Sequence, residues 1–258
     1  MFALDVPPTA ELFNWPAIWG HGAFAINKVV ILMLIAAIGV IVFYMAGRKG
    51  ELVPRGVQNV AEMAVDFIES GIILQTMGPD GLPFAPFLLT VFSFIFALNL
   101  FEVLPLAQMP PNARIALPMF MAVLVWFIYN IMGIARQGLW GYFKHIMFPP
   151  GVPKPIYIIL TPINLISDLI VRPFALMVRL FANLFAGHLI LVSFGALAAG
   201  LFESHALGGL SKAGAVLPFA LLAALTGFEI LVAFLQAYIF TILAAVFTGL
   251  AMTVPDHH

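Results

Sequence analysis

Apolar residues occupy this chain in long blocks, and short polar segments separate the blocks. The first block runs from Val29 to Met45 and ends at Gly47-Arg48-Lys49-Gly50. At about 1.5 Å per residue a helix of this length just crosses the hydrocarbon core of a bilayer. A first membrane span is therefore predicted over 28–46. The residues before Lys28 include Asp5 and Glu11 but no lysine or arginine, so a cleaved signal peptide, which needs a basic start, is not expected here.

The segment 57–75 has a different pattern, with acidic and apolar residues on opposite sides of a helix. Three acidic residues share one face: Glu62, Asp66 and Glu69. Apolar residues lie largely opposite: Val57, Val60, Ala64, Phe67 and Ile68. This pattern predicts an amphipathic helix that lies on the membrane or on a partner.

Two further apolar blocks predict a helical hairpin over 87–135. The second span covers 87–104 and carries Asn99 and Glu102 near its end. A turn with Pro110, Pro111 and Asn112 leads to a third span over 115–135, and a basic, proline-rich connection follows over 136–155.

The last hundred residues predict two apolar helices that are too long for upright spans. The first would cover 156–202, and the second, counted from Phe219 to Val254, would measure about 50 Å against a hydrocarbon core of about 30 Å. We expect a steeply tilted hairpin over 156–253. The predicted fold is one all-α integral membrane domain over 1–258, with about five membrane helices and an amphipathic helix.

Composition supports this assignment and excludes several function classes. The chain is 63% hydrophobic and 9% charged, whereas soluble domains are near a quarter charged. Eleven basic against twelve acidic residues give no bias toward nucleic acid, and no cysteine is present for a disulfide or thiolate metal site. Neither a metal site nor a cofactor is expected, because the histidines lack ligand spacing and no nucleotide or hydrolase motif occurs. His145 is expected to be solvated, as are His21, His205, His257 and His258.

The distribution of basic residues predicts the orientation. Lysine and arginine cluster after the first and third spans, whereas the turn after the second span has only Arg114. The positive-inside rule therefore places the N-terminus outside and the C-terminus in the cytoplasm.

Polar residues form a stripe on the first long helix, within an arc of about 100°. Its members are Asn164, Asp168, Arg172, Arg179 and Asn183. Asp168 and Arg172 are four residues apart and can pair. Arg179 has no acidic residue within four positions. It either forms a structural contact, by snorkelling or through a salt bridge to Glu229 or Glu102, or has a functional partner elsewhere.

The second long helix carries Glu229 and Gln236 on nearly one face. His188 is the expected partner of Glu229, either as a proton relay or as a neutral pair that fixes the hairpin. Gln236 is also compatible with a packing hydrogen bond, and Asn99 with Glu102 is compatible with a helix end in the interface. The hydroxyls of Thr226, Thr241 and Thr248 are expected to bond to the preceding helical turn.

Three stretches resemble one family, the membrane-embedded a subunits of F-type ATP synthases. They are Arg179-Leu-Phe-Ala-Asn183-Leu-Phe-Ala-Gly187-His188, Leu235-Gln236-Ala-Tyr-Ile-Phe240 and Asn99-Leu-Phe-Glu102-Val-Leu-Pro105. Their order and spacing and the chain length agree with the family, so the resemblance covers essentially the whole chain.

The resemblance implies the stator half of a proton path that turns a rotor ring. Arg179 would be the essential stator arginine between two aqueous half-channels, flanked by Asn183 and Gln236. Four residues would line or support the outer path: His188, Glu229, Asn99 and Glu102. Some members have glutamate and histidine exchanged between the positions of His188 and Glu229. Asp168 is our own candidate for the inner path.

The implied partners are the c-ring, the b subunits of the peripheral stalk, the rest of the synthase and the lipid membrane, with no nucleic acid. The implied location is a bacterial inner membrane, with an organellar coupling membrane as the alternative. Two other function classes predict different sequence patterns. A secondary transporter would show two related halves, which this chain lacks. A structural scaffold would not need Arg179, His188 and Glu229 in apolar helices.

Overall fold

A computed structural model describes residues 27–48, 50–51, 53–104, 111–148, 153–203 and 209–252. Helices account for nearly all of this described part, which contains no strand. Within these described ranges, five helices are long and apolar enough to cross a membrane: Lys28–Gly47, Pro79–Val103, Ala116–Met147, Tyr157–Glu203 and Gly214–Met252. The predicted all-α membrane fold with two long final helices is confirmed, while their tilt stays a prediction.

Some predicted features lie outside the described residues. They are the N-terminal segment before residue 27, Pro105 with most of the following turn, and the histidines at 21, 205, 257 and 258.

The amphipathic helix runs over Val57–Ile68 and continues through a π turn, Glu69–Ile73. Ile68 is fully buried, whereas Val57 and Val60 are exposed, so its apolar side is only partly covered within the chain. The ring of Phe67 packs against those of Phe92 and Tyr238, with centroids 5.7 Å apart in both pairs.

The third span extends past the predicted end at residue 135 to Met147. It is interrupted at Gly138, where φ is +73° and ψ is 162°. Glycine has no Cβ and adopts this conformation without strain, so the helix changes direction there and resumes. The ring of Tyr142 then packs so close to Gly133 that a Cβ there would overlap it.

The first long helix is continuous from Tyr157 to Glu203, and the second runs over Gly209–Met252. A π turn, Ser167–Val171, lies within the first. At about 1.5 Å per residue each helix exceeds 60 Å, roughly twice the hydrocarbon core. The first long helix thus matches its predicted bounds of 156–202 to within one residue, whereas the second begins ten residues before Phe219.

The chain divides into two compact units, each assembled from three separate stretches of sequence. The first unit comprises Met1–Gly39, Phe94–Arg114 and Phe181–Gln236, and the second comprises Val40–Ser93, Ile115–Leu180 and Ala237–His258. Each contains its own cluster of buried polar side chains. The single domain predicted over 1–258 stays a prediction.

Candidate functional site

The first unit buries two carboxylates and a histidine. Glu229 is 8% exposed, Glu102 6% and His188 6%. Neither glutamate forms an ion pair with any residue in the described part of the chain. A buried carboxylate without a counter-ion is costly while it is ionised, so these two groups are chemically poised to hold a proton.

Glu229 lies against the backbone of the first long helix at Gly187. A Cβ added to Gly187 would overlap the carboxylate, with Glu229 Cδ only 2.9 Å away. Glycine therefore provides the space that the carboxylate occupies. The carboxylate thus lies beside the residue that precedes His188, and the expected pairing of Glu229 with His188 stays a prediction.

Asn99 connects the end of the second span to the second long helix. Its Nδ2 donates to the carbonyl of Ala233 over 3.4 Å, one helical turn beyond Glu229. Its Oδ1 accepts from Asn112 Nδ2 over 2.6 Å. Asn99 and Asn112 are both fully buried. Asn112 is a polar residue of this site that sequence reasoning did not single out, because an asparagine after two prolines has the pattern of an ordinary turn.

Asn183 and Gln236, which the sequence predicted beside the arginine, bond to each other within the first unit. Asn183 Nδ2 donates to Gln236 Oε1 over 3.0 Å. Gln236 is 2% exposed, and its Nε2 has no partner among the described residues. The pair joins the two long helices and leaves an amide donor available.

The second unit contains Asp168, which is 4% exposed and pairs with Arg172 as predicted. Tyr142 also donates to its carboxylate, over 3.4 Å. Arg172 in turn lies 5.0 Å from the ring centre of Phe247, at cation–π distance. This buried carboxylate is therefore compensated by charge and hydrogen bonds.

The π turn explains why further donors gather around Asp168. The Arg172 N–H bonds to the Ser167 carbonyl, and the next residue, Pro173, has no N–H. The Asp168 carbonyl is thereby left without a backbone donor from the helix. Tyr129 donates to it over 2.9 Å and Trp126 over 3.3 Å. The proline can be read from the sequence. That two aromatic side chains about forty residues away donate to this carbonyl cannot.

A cavity of about 210 Å³ borders this cluster. Its polar lining residues are Tyr142, His145, Asn164, Ser167, Asp168 and Arg172. His145 was expected to be solvated, yet its Nδ1 is buried without a partner among the described residues. The fold brings it here because the third span resumes after Gly138. The space is sufficient for several water molecules.

Asn164 and Thr161 cap the C-terminal end of the third span. Thr161 donates to the carbonyl of Met147 over 2.7 Å, and Asn164 donates to that of Ile146 over 3.3 Å. These carbonyls have no helical donor, so the two side chains act as caps. Asn164, a member of the polar stripe predicted on the first long helix, thus has a structural role.

Arg179 belongs to the second unit and, unlike Asp168, Arg172 and Glu229, is exposed. The midpoint of Tyr157–Glu203 is residue 180, so Arg179 lies at the centre of this helix. Its side chain is exposed and forms no ion pair with a described residue. The alternative of a salt bridge to Glu229 or Glu102, which belong to the first unit, stays a prediction. The three threonines bond to their preceding turns as expected, and the part of the chain that the structure describes contains no metal-binding cluster.

Comparisons with known proteins agree on one family. A family model described as ATP synthase A chain matches residues 29–249. Proteins named ATP synthase subunit a are similar along most of their length. That of Rhodococcus erythropolis is 38% identical, covering 97% of this chain and 91% of the relative. That of Parafrankia sp. is 41% identical (95% and 84%), and that of Hyphomonas neptunium is 42% identical (87% and 86%).

Proposed function

The chain belongs to the ATP synthase A chain family, and we propose that it forms two proton half-channels that face the c-ring and couple proton flow to ring rotation. Membership makes it a component of the ATP synthase complex. Its bacterial relatives and five apolar helices make it an integral protein of a bacterial membrane. The alternatives of an independent transporter and a scaffold lose their support.

The observation that carries the proposal is the exposed position of Arg179. A charged side chain at the centre of an apolar helix needs a counter-ion or water. Arg179 has no carboxylate partner within the described chain. A carboxylate on a neighbouring protein, such as a ring subunit, would supply that partner.

Arginine is suited to this role because its guanidinium keeps its proton. It is therefore a fixed positive charge and not a relay. A ring carboxylate that has released its proton can pass an apolar surface only while its charge is compensated. The same fixed charge repels protons that would pass directly between the half-channels. A proton that crosses a membrane potential releases about 2.3 kcal/mol per 100 mV, and blocking this leak makes that energy available for rotation.

The polar residues of the first unit support an outer half-channel. Glu229 and Glu102 are buried carboxylates without ion-pair partners in the described chain, and they can exchange protons with water or with a neighbouring group. Asn99 and His188 are further buried polar members of this path.

Asn183 and Gln236 supply hydrogen bonds beside Arg179, which is four positions before Asn183 on the same helix. The inner half-channel would use Asp168 and the cavity that it borders.

The proposed orientation follows from the basic residues, with the N-terminus outside and the C-terminus in the cytoplasm. The peripheral-stalk b subunits are proposed to hold the chain stationary. The exposed apolar residues of the first span, among them Leu34, Ile38 and Ile41, provide a face for lipid or for such a helix.

The proposal is tested by replacing Arg179 in the intact synthase. Arg179→Ala and Arg179→Gln should abolish ATP-driven proton pumping in inverted vesicles while the complex assembles. Arg179→Lys should also fail, because a compact ammonium lacks the planar fork and loses its proton when desolvated. The matched control is Arg136→Ala, which removes another exposed arginine, just before the break at Gly138 in the third span. Native pumping by assembled Arg179→Ala would overturn the proposal.

A further inference from the structure

Asn112 determines which way the amide of Asn99 faces. Its Nδ2 donates to Asn99 Oδ1 over 2.6 Å, while Asn99 Nδ2 donates to the Ala233 carbonyl over 3.4 Å. An asparagine amide can turn by 180° without changing its shape, and its two ends then exchange donor and acceptor. The donor from Asn112 favours the orientation in which Asn99 bonds to the second long helix. Asn112 is therefore a positioning residue for Asn99.

Two acceptor atoms next to this chain of hydrogen bonds are buried and unpaired. Asn112 Oδ1 and Glu102 Oε1 have no hydrogen-bond partner among the described residues. Asn112 is 0% exposed and Glu102 is 6% exposed. Both residues adjoin Asn99, since Asn112 bonds to it and Glu102 follows it by three positions on one helix face. Leaving a buried acceptor unpaired is unfavourable, so a ligand with donor hydrogens is expected.

We propose that Glu102 Oε1 and Asn112 Oδ1 bind one ordered water molecule, and that Asn112 belongs to the outer proton path with Asn99 and Glu102. Water is the favoured ligand because it has two donor hydrogens for two acceptors. A bare monovalent cation would need more oxygen ligands than these two atoms supply. The inference rests on the proposed function, since it assigns this water to the outer half-channel.

Structures of the intact synthase test the water site directly. A cryo-electron microscopy map that resolves solvent should show a density within hydrogen-bond distance of both oxygen atoms. Asn112→Leu should remove this density, because leucine has a similar size and no acceptor. Asn112→Asp should retain it, because the carboxylate keeps an acceptor at the same position.

Proton flow tests the role of Asn112. With the soluble head removed, passive proton conduction through vesicles should fall about tenfold in Asn112→Leu, as expected for one lost hydrogen bond in the path. Asn112→Asp should stay within about threefold of the native rate, since the donor to Asn99 is lost but the water site remains. Thr248→Val is the matched control. It also removes a buried polar group, whose hydrogen bond among the described residues stays within its own helix at Ala244, and it should conduct normally.

Several outcomes would overturn the inference. They are native conduction by assembled Asn112→Leu, a solvent density that persists in that variant, or conduction that follows sodium concentration and not the proton gradient. If Asn112→Leu does not assemble, Asn112→Ala removes the same atoms without adding bulk. If Arg179→Ala is inactive and Asn112→Leu is normal, only this inference fails. If Arg179→Ala pumps normally, the proposed function fails first.

Discussion

Two buried carboxylates of this chain, Asp168 and Glu229, have opposite surroundings. Asp168 in the second unit pairs with Arg172 and accepts from Tyr142, and its own carbonyl accepts from Tyr129 and Trp126. Glu229 in the first unit has no ion pair with a described residue and rests on the backbone at Gly187. Asp168 thus has a counter-ion and a hydrogen-bond donor, whereas Glu229 has no ion-pair partner among the described residues.

The difference separates a charge that stabilises a structure from one that can exchange a proton. A carboxylate held by a guanidinium and hydroxyl donors keeps its charge, since protonation would cost those interactions. A buried carboxylate without them changes its protonation state at lower cost. We infer that the first unit contains the acids that take up and release protons, whereas Asp168, paired with Arg172, orders the second unit and lines the cavity of the proposed inner half-channel.

The largest expected effect comes from exchanging the charges of the first unit. His188→Glu should lower proton-driven ATP synthesis by roughly a hundredfold, because three carboxylates would then be buried in one unit. Combining His188→Glu with Glu229→His restores one histidine and two carboxylates, the arrangement that other family members are expected to use, and should recover substantial synthesis. The measurement is the synthesis rate in vesicles for both single variants and the double variant. A double variant as impaired as the worse single variant would contradict a shared proton role.

The next effect concerns the space in which the Glu229 carboxylate lies. Gly187→Ala places a methyl group where the carboxylate now is, so proton conduction should fall by about tenfold while assembly is retained. Gly195→Ala is the control on the same helix, since its Cβ would meet Leu222 at an ordinary 3.9 Å. Equal conduction by the two variants would show that the carboxylate position is not important.

Substitutions in the second unit should lower the stability of the complex more than its proton conduction. Arg172→Met leaves Asp168 buried without its counter-ion and should cost about 2–4 kcal/mol, since Arg172 is itself 31% exposed. Thermal unfolding of the purified complex measures this loss. Glu229→Gln is the comparison, and it should lower synthesis without lowering the unfolding temperature. If Arg172→Met instead abolishes conduction in a stable complex, the second unit is as chemically active as the first.

The smallest effect is expected at the edge of the Asp168 network. Tyr142→Phe removes a hydroxyl that bonds to Asn130 Oδ1 over 3.0 Å and to Asp168 over 3.4 Å. The expected cost is about 1 kcal/mol of stability, with little change in conduction. The unfolding temperature, measured beside Arg172→Met, should fall by less than in that variant. A conduction loss larger than the stability loss would give Tyr142 a place in the inner path.

Local patterns of the sequence predicted most of the helices and several of the contacts. The apolar blocks determine the helices because each must satisfy its backbone hydrogen bonds internally in lipid. The pair of Asp168 with Arg172 and the bonds of the three threonines follow from a spacing of four residues on a helix. The central arginine was evident because a charge in an apolar helix is rare.

Only the tertiary structure decided which polar groups pair between distant parts of the sequence and which buried groups are left without a partner. The bond from Asn99 to Ala233 joins positions 134 residues apart, and Tyr129 reaches Asp168 across 39. Gly138 turns the third span so that Tyr142 and His145 approach the Asp168 cluster. Spacing along one helix fixes neighbours within about a turn, whereas contacts between helices depend on the packing of all of them. The sequence by itself therefore determined where the acids are and that Asp168 has a counter-ion one helical turn away, whereas the packing decided that Glu229 and Glu102 are buried without an ion pair to a described residue.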